Sequence, residues 1–207
     1  MHIPVAFVDA NVLYSKTLRD WLFLLRIETG GRMFALFSSE DTLTETLYHL
    51  RKNKADAPGR YTGAIQERIR ASLDDIVDDF PAIDFPGADD HDQHIHAAAT
   101  SVNASYLIAG DRGFHDIDGD LLPYEVHSAD SFFMLVAANA PGAVDRVITR
   151  QIGYYGKRSQ SAKLDAMLEK AGCSTFAVCV RGHLAQLAAD AATHGVSDRL
   201  LPTEPAP

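Results

Sequence analysis

Long apolar runs are missing from this chain: no stretch approaches the roughly 20 residues that a membrane-spanning helix needs, and no basic segment leads into an apolar core at the N-terminus. A cytoplasmic protein with no membrane contact is the expectation. Cysteine is scarce, with Cys173 and Cys179 the only two in 207 residues. They lie six apart in a stretch that reads as helical and would not share a face, which points to two bland thiols rather than a metal or redox pair. Net positive charge is lacking too: 19 Lys and Arg stand against 28 Asp and Glu, a formal charge of -9, which argues against a protein that coats nucleic acid nonspecifically. No internal repeat is present. What remains is a chain that is 46% hydrophobic and long enough to bury a real core. Only the tail LLPTEPAP, with three prolines in its last six residues, is expected to fray.

The charge is unevenly spread. Residues 140–207 carry eight Lys or Arg against six Asp or Glu, leaving 11 against 22 in residues 1–139. Part of the excess sits in DDIVDDF, at Asp74, Asp75, Asp78 and Asp79, expected to be a solvated helix end. A polyanion would have to approach along local basic patches: Arg51, Lys52, Lys54 and Arg60, then Arg146, Arg150, Lys157 and Arg158.

Periodicity supplies the elements. Val5 to Val8 and Tyr106 to Ala109 are brief apolar runs followed by Asp or Gly, the pattern of buried parallel strands. Between them, Val12 to Ile27 carries a helical stripe at Leu18, Trp21, Leu22 and Leu25, closed by Gly30 and Gly31. FALFSS follows as a candidate strand, and Ser39 caps a helix running to about Asn53. A further helix is expected from about Tyr61 to Asp78, with Ile65, Ile69, Leu73 and Ile76 on one face and Pro81 as its stop. Asp89 or Asp90 then caps a helix whose Ile95, Ala99 and Val102 recur at three- and four-residue steps. SYLIAG and LPYEVHS complete an alternation of strands and helices, which implies an α/β fold with a mainly parallel sheet covered on both sides. From about Ser128 onward the chain reads helical.

Four acidic residues stand where elements meet: Asp9, Glu45, Asp92 and Asp111. Asp9 and Asp111 follow the two apolar strands, and ligands of open α/β sheets collect at that edge. Asp92 falls on the buried stripe of its helix, so it points inward and needs a partner. Carboxylates gathered together repel one another, which suits a divalent cation with hard oxygen ligands. Glu45 lies nearly opposite Leu43, Leu47 and Leu50, so periodicity alone places it in solvent. As capping or turn residues, Asp9 and Asp111 would need no further function. His91, His94 and His96 invite a zinc reading, but no Cys or His at a recognised spacing completes four ligands, which leaves surface histidines or a substrate contact. GYYGKRSQ, residues 153–160, interleaves aromatics with Lys157 and Arg158; it suits stacking on single-stranded RNA or a glycine-punctuated linker equally well.

FVDANVLYS, together with DQHIHAAATSVNASYLIAGDRGF further on, resembles the PIN domain nucleases, and within them the VapC-type toxins of bacterial toxin-antitoxin pairs. The resemblance covers residues 3–130 or so. It implies a PIN-like α/β/α sandwich at residues 1–135; the helical region at 136–200, which the core family pattern does not explain, is expected to be an extension, and 201–207 a flexible tail. Carried over residue by residue, it makes Asp9 the bridging ligand of a metal site holding one or two Mg²⁺ or Mn²⁺ ions. Asp92 and Asp111 become further metal or water ligands, and Glu45 the acidic residue of the second helix. It further implies an endoribonuclease acting on RNA, a protein antitoxin that occupies the acidic cleft, and a homodimer. Asp90 and Asp116 are substitutes for these acids. Family members commonly carry Thr or Ser two positions before the fourth acid; here Ala109 stands, and Asn11 or Ser15 would have to orient Asp111 or a water instead. That departure motivates a different expectation, a PIN-fold RNA-binding or scaffold protein that cleaves nothing. An aspartyl-phosphate mechanism on Asp9 needs a second acid two residues on, where Asn11 stands. Arg51, Lys52, Lys157 and Arg158 are the candidate RNA contacts.

Overall fold

The structure, a computed structural model, describes residues 3–110, 112–157 and 163–197. Asp111, Arg158 and the proline-rich tail therefore lie outside the described residues. The strands are β1 (Val5–Val8), β2 (Ala35–Ser39), β3 (Asp75–Val77), β4 (Tyr106–Ile108) and β5 (Glu125–His127). They form one sheet in the order β3-β2-β1-β4-β5 with every pair parallel. The helices are α1 (Ala10–Tyr14), α2 (Lys16–Glu28), α3 (Glu40–Asn53), α4 (Gly59–Ser72), α5 (Gln93–Ser101), α6 (Arg112–His115), α7 (Ala129–Asn139), α8 (Pro141–Gly156), α9 (Leu164–Lys170) and α10 (Ser174–Ser197). This is the expected α/β architecture, a parallel sheet flanked by helices with a helical C-terminal region.

Parallel strands need crossovers that cover both faces, and β1 shows the consequence. Its side chains alternate, with Ala6 and Val8 in one buried cluster and Val5 and Phe7 in the other. The smaller cluster packs Phe7, Ile95, Ala98, Ala99, Leu107 and Phe114 beneath α5 and α6. The larger one brings Trp21, Leu22 and Leu25 of α2 against Phe132, Phe133, Val147 and Phe176 from the C-terminal helices. Trp21 meets Phe176 edge-on at 5.0 Å, and Phe34 meets Phe132 likewise at 5.1 Å. The boundary expected at residue 135 falls inside α7, whose Phe132, Phe133 and Val136 belong to this shared core.

Four expectations need correcting. The stripe from Val12 to Ile27 is two helices, because Ser15 turns extended and its hydroxyl caps α2. The long helix from Tyr61 ends at Ser72, and Ile76 sits in edge strand β3. Asp74 causes the break: its backbone N–H donates to the Leu36 carbonyl at 2.8 Å, its carboxylate accepts from the Leu36 N–H at 2.8 Å, and Arg26 pairs with it. DDIVDDF is therefore a strand entry and not a solvated helix end. His96, expected at the surface, is 4% exposed, and its Nδ1 lies 2.8 Å from the Tyr124 hydroxyl. Burial lowers the His96 pKa, so the neutral imidazole fills this site.

Both cysteines are free thiols, Cys173 buried and Cys179 half-buried. Burial, aided by the Asp130 charge, pushes the Cys173 thiol up to about 12. Among the described residues no helix is long and apolar enough to cross a membrane.

Candidate functional site

The strand order places a reversal between β1 and β4: β2 and β3 are added on one side of β1, β4 and β5 on the other. Crossovers leaving two such neighbouring strands diverge to opposite faces, which opens a crevice beyond their carboxyl ends. Asp9 follows β1 directly and Gly110 follows β4 by two residues, so both stand at that crevice.

The turn after β1 is held from several directions. The Asp9 N–H donates to the Ile108 carbonyl at 3.0 Å, and its Oδ1 accepts from the Ala10 N–H, capping α1. Asp9 is only 3% exposed. Ser38 reaches across from β2 and donates to the Val8 carbonyl at 3.0 Å. Asn11 Oδ1 accepts from the Gly110 N–H at 3.0 Å, tying the first turn to the loop that leads into Asp111. A Cβ on Gly110 would come within 3.1 Å of that oxygen, so the close approach favours glycine there.

Asp92 closes a 3-10 turn, Asp90–Asp92, ahead of α5. Asp89 takes the capping task, its Oδ1 accepting from the His91 N–H at 2.9 Å, while the Asp92 side chain makes no cap bond. Asp92 is 7% exposed, aligned with buried Ile95 and Ala99 as the stripe implied. Burial first, and then the Asp92 charge, push the Tyr124 hydroxyl pKa up, so Tyr124 stays neutral beside His96.

These elements surround a cleft of about 810 Å³ whose lining includes Asp9, Asn11, Glu45 and Asp92. Glu45 is half-exposed, as periodicity required, and also faces the cleft, because α3 packs against α1 beside it. Three of the four nominated acids, from separate elements, thus border one space; Asp111 lies outside the described residues. Among the described residues no group of three or more His, Cys, Asp or Glu is close enough to hold an ion.

The other nominated residues fare differently. The Ser15 hydroxyl caps α2 and does not line the cleft. Asp116 is exposed and apart from it, and the Asp90 side chain is outside the described set. Arg51 is tied to the Ala57 carbonyl and the Thr62 hydroxyl, a loop-fastening task. Lys52 stands exposed with its Nζ 6.0 Å from the Tyr48 ring centre, and Lys157 is exposed at the end of α8. Arg146 and Arg150 both pair with Glu28, which neutralises part of the second basic patch. His91 and His94 line the cleft, whereas His96 does not.

Sequence reasoning overlooked Tyr14 and His49. His49 lies one turn after Glu45, with Nε2 3.4 Å from Glu45 Oε1, and its ring sits 5.9 Å from that of Tyr14. The i,i+4 acid–imidazole spacing was the available signal. Compared with family models, curated proteins and solved structures, the chain matches none.

Proposed function

We propose that this protein is a metal-dependent endoribonuclease of the PIN type, hydrolysing RNA phosphodiester bonds as the toxin of a bacterial toxin-antitoxin pair. The observation that carries the hydrolytic reading is the shared cleft: Asp9, Glu45 and Asp92 reach it from the end of β1, from α3 and from the start of α5. The toxin reading, with its antitoxin and homodimer, rests on the likeness of FVDANVLYS and the Asp92 to Asp111 segment to VapC-type sequences.

The donor chemistry fits a hard cation. Asp9 and Asp92 offer carboxylate oxygens at 3% and 7% exposure, and Mg²⁺ or Mn²⁺ prefers such ligands. Asp9 and Asp92 would hold the ion together with Asp111. When bound, it supplies a more acidic water and charge neutralisation at the leaving oxygen. Glu45 accepts the proton from the attacking water, a general-base contribution of about 10²- to 10⁴-fold. His49, in contact with Glu45, carries that proton toward solvent. Asn11 keeps the two strand-end turns in register.

The test is cleavage of single-stranded RNA by the purified protein with Mg²⁺ or Mn²⁺. Wild type cuts, chelation with EDTA stops it, and Asp9→Asn abolishes cutting while circular dichroism stays native. A folded wild type that cuts nothing with either ion overturns the proposal. A second reading, an RNA-binding or scaffold protein, is favoured by one observation: Ala109 is fully buried and brings no hydroxyl to the crevice. Wild type that binds RNA without cutting it would select that reading.

A further inference from the structure

A second cavity, about 370 Å³, opens between α2, α4 and α8 and shares no lining residue with the acidic cleft. Its charge has the opposite sign: Lys16, Arg19, Arg68 and Arg150 line it, against one carboxylate, Asp20. Lys16 already pairs with Asp20, and Arg150 with Glu28 outside the cavity. Arg19 and Arg68 have no carboxylate at ion-pair distance among the described residues. Arg19 Nη1 donates to the Leu13 carbonyl at 2.6 Å and Arg68 Nε to the Ala64 carbonyl at 3.0 Å, contacts that hold the two guanidiniums without neutralising them. Burial lowers the Arg19 pKa, Asp20 opposes this, and Arg68 adds to the lowering, so the two cations feel each other. An anion between them would relieve that repulsion, and the guanidinium fork matches phosphate oxygens.

The rest of the lining is specific in a different way. Gln151 is 6% exposed, and its buried Nε2 has no hydrogen-bond partner. That atom has no accessible surface, so it faces the packed interior and not the cavity. Phe23, Ile65 and the Tyr154–Tyr155 pair, edge-on at 5.3 Å, give apolar and aromatic walls. Exposed Tyr154, at 46%, offers a ring for stacking. The cavity has the size of a small-molecule site.

We propose that this cavity is a nucleotide site, with the phosphate held by Arg19 and Arg68 and the base against the tyrosines. The ligand is either a free nucleoside monophosphate or one nucleotide of a single strand passing over α2 and α8. The site needs neither a metal ion nor the acidic cleft, so it stands apart from the hydrolytic reading.

Calorimetric titration of the full chain, in EDTA and low salt, tests it with AMP, UMP, inorganic phosphate and a short single-stranded RNA. Two variants accompany wild type, both at exposed positions: Arg68→Ala, which removes a phosphate contact, and Tyr154→Ala, which removes a wall for the base. A monophosphate binding in the range of about 10–100 µM, weakened roughly tenfold by each variant, supports the site and assigns the free ligand. Binding by the RNA alone, weakened in both variants, supports it and assigns the strand. No binding by any of them, or equal binding by wild type and both variants, overturns it. Asp9→Asn should bind as wild type does, so failure here and failure of the hydrolytic reading are separable.

Discussion

The hydrogen bond from the Gly110 N–H to Asn11 Oδ1 spans 99 residues of sequence and joins the two turns that border the crevice. Asn11→Ala removes the acceptor at 3.0 Å, and since Gly110 is exposed, water can replace it. The net loss is therefore an ordinary neutral hydrogen bond, about 1 kcal/mol, which for a chain of this size lowers Tm by roughly 2–4 °C. On the proposed hydrolytic reading, cleavage should suffer more than stability, because the bond holds Gly110, the residue before Asp111 in sequence. A displacement of about 1 Å at a reacting group costs up to about 10²-fold, so kcat falls and KM changes little. Gly110→Ala checks the geometry independently. Its new Cβ would meet Asn11 Oδ1 at 3.1 Å and Cγ at 3.2 Å, so the Asn11 side chain must give by a few tenths of an ångström, which weakens its bond to the Gly110 N–H. In the double variant the Cβ has no asparagine to meet, so the two changes together cost less than their sum. Calorimetric melting of the four proteins, with single-turnover cleavage on each, measures both effects. Strict additivity in Tm, or an Asn11→Ala variant that melts early but cuts at the wild-type rate, would refute the positioning argument.

Trp21→Ala should cost about 3–5 kcal/mol in urea unfolding, since Trp21 is 1% exposed and anchors the C-terminal helices through Phe176; a loss below 1 kcal/mol would mean those helices do not depend on this core. His96 has a lowered pKa, so below about 6.5 the unfolded chain takes up a proton that the folded chain refuses. Stability should therefore fall as pH drops from there toward the lowered folded pKa and then level off, and His96→Gln, which keeps a partner for Tyr124, should flatten that part of the urea-midpoint profile. Asp74→Ala should cost about 1.5–3 kcal/mol by releasing Arg26 and the Leu36 N–H, and amide exchange in β3 should accelerate beyond the global effect. Burial raises the Asp74 pKa, but Arg26 and the Leu36 N–H outweigh it and hold the carboxyl below its ordinary 3.8. The stability it gives is present above about pH 4 and is lost as pH falls through the lowered value.

Local pattern was enough to specify much of this molecule. The apolar run of β1 and the stripe from Asp92 through Ile95 and Ala99 are set by side chains within a few residues of one another. The Ser39 cap on α3 is equally local, as are the helices after Ser128, and all of these are where the sequence placed them. The end of α4 was not readable, because the residue that breaks it, Asp74, does so through Arg26 and Leu36, which lie 48 and 38 positions away. His96 looked like a surface histidine for a similar reason: only the fold brings Tyr124 to its Nδ1 and Phe85 to its ring.

The amino-acid order by itself determined most of the strands and helices, β3 excepted, and that Asp9 and Asp92 stand beside the ends of their elements. The order of strands in the sheet, and with it the crevice between β1 and β4, was decided by tertiary structure. Hydrophobic period tells a strand that it is buried but not which neighbour it pairs with, so the approach of Asp9, Glu45 and Asp92 to one cleft comes only with the sheet β3-β2-β1-β4-β5. The same holds for the second cavity, whose arginines and tyrosines come from three helices that no local rule brings together.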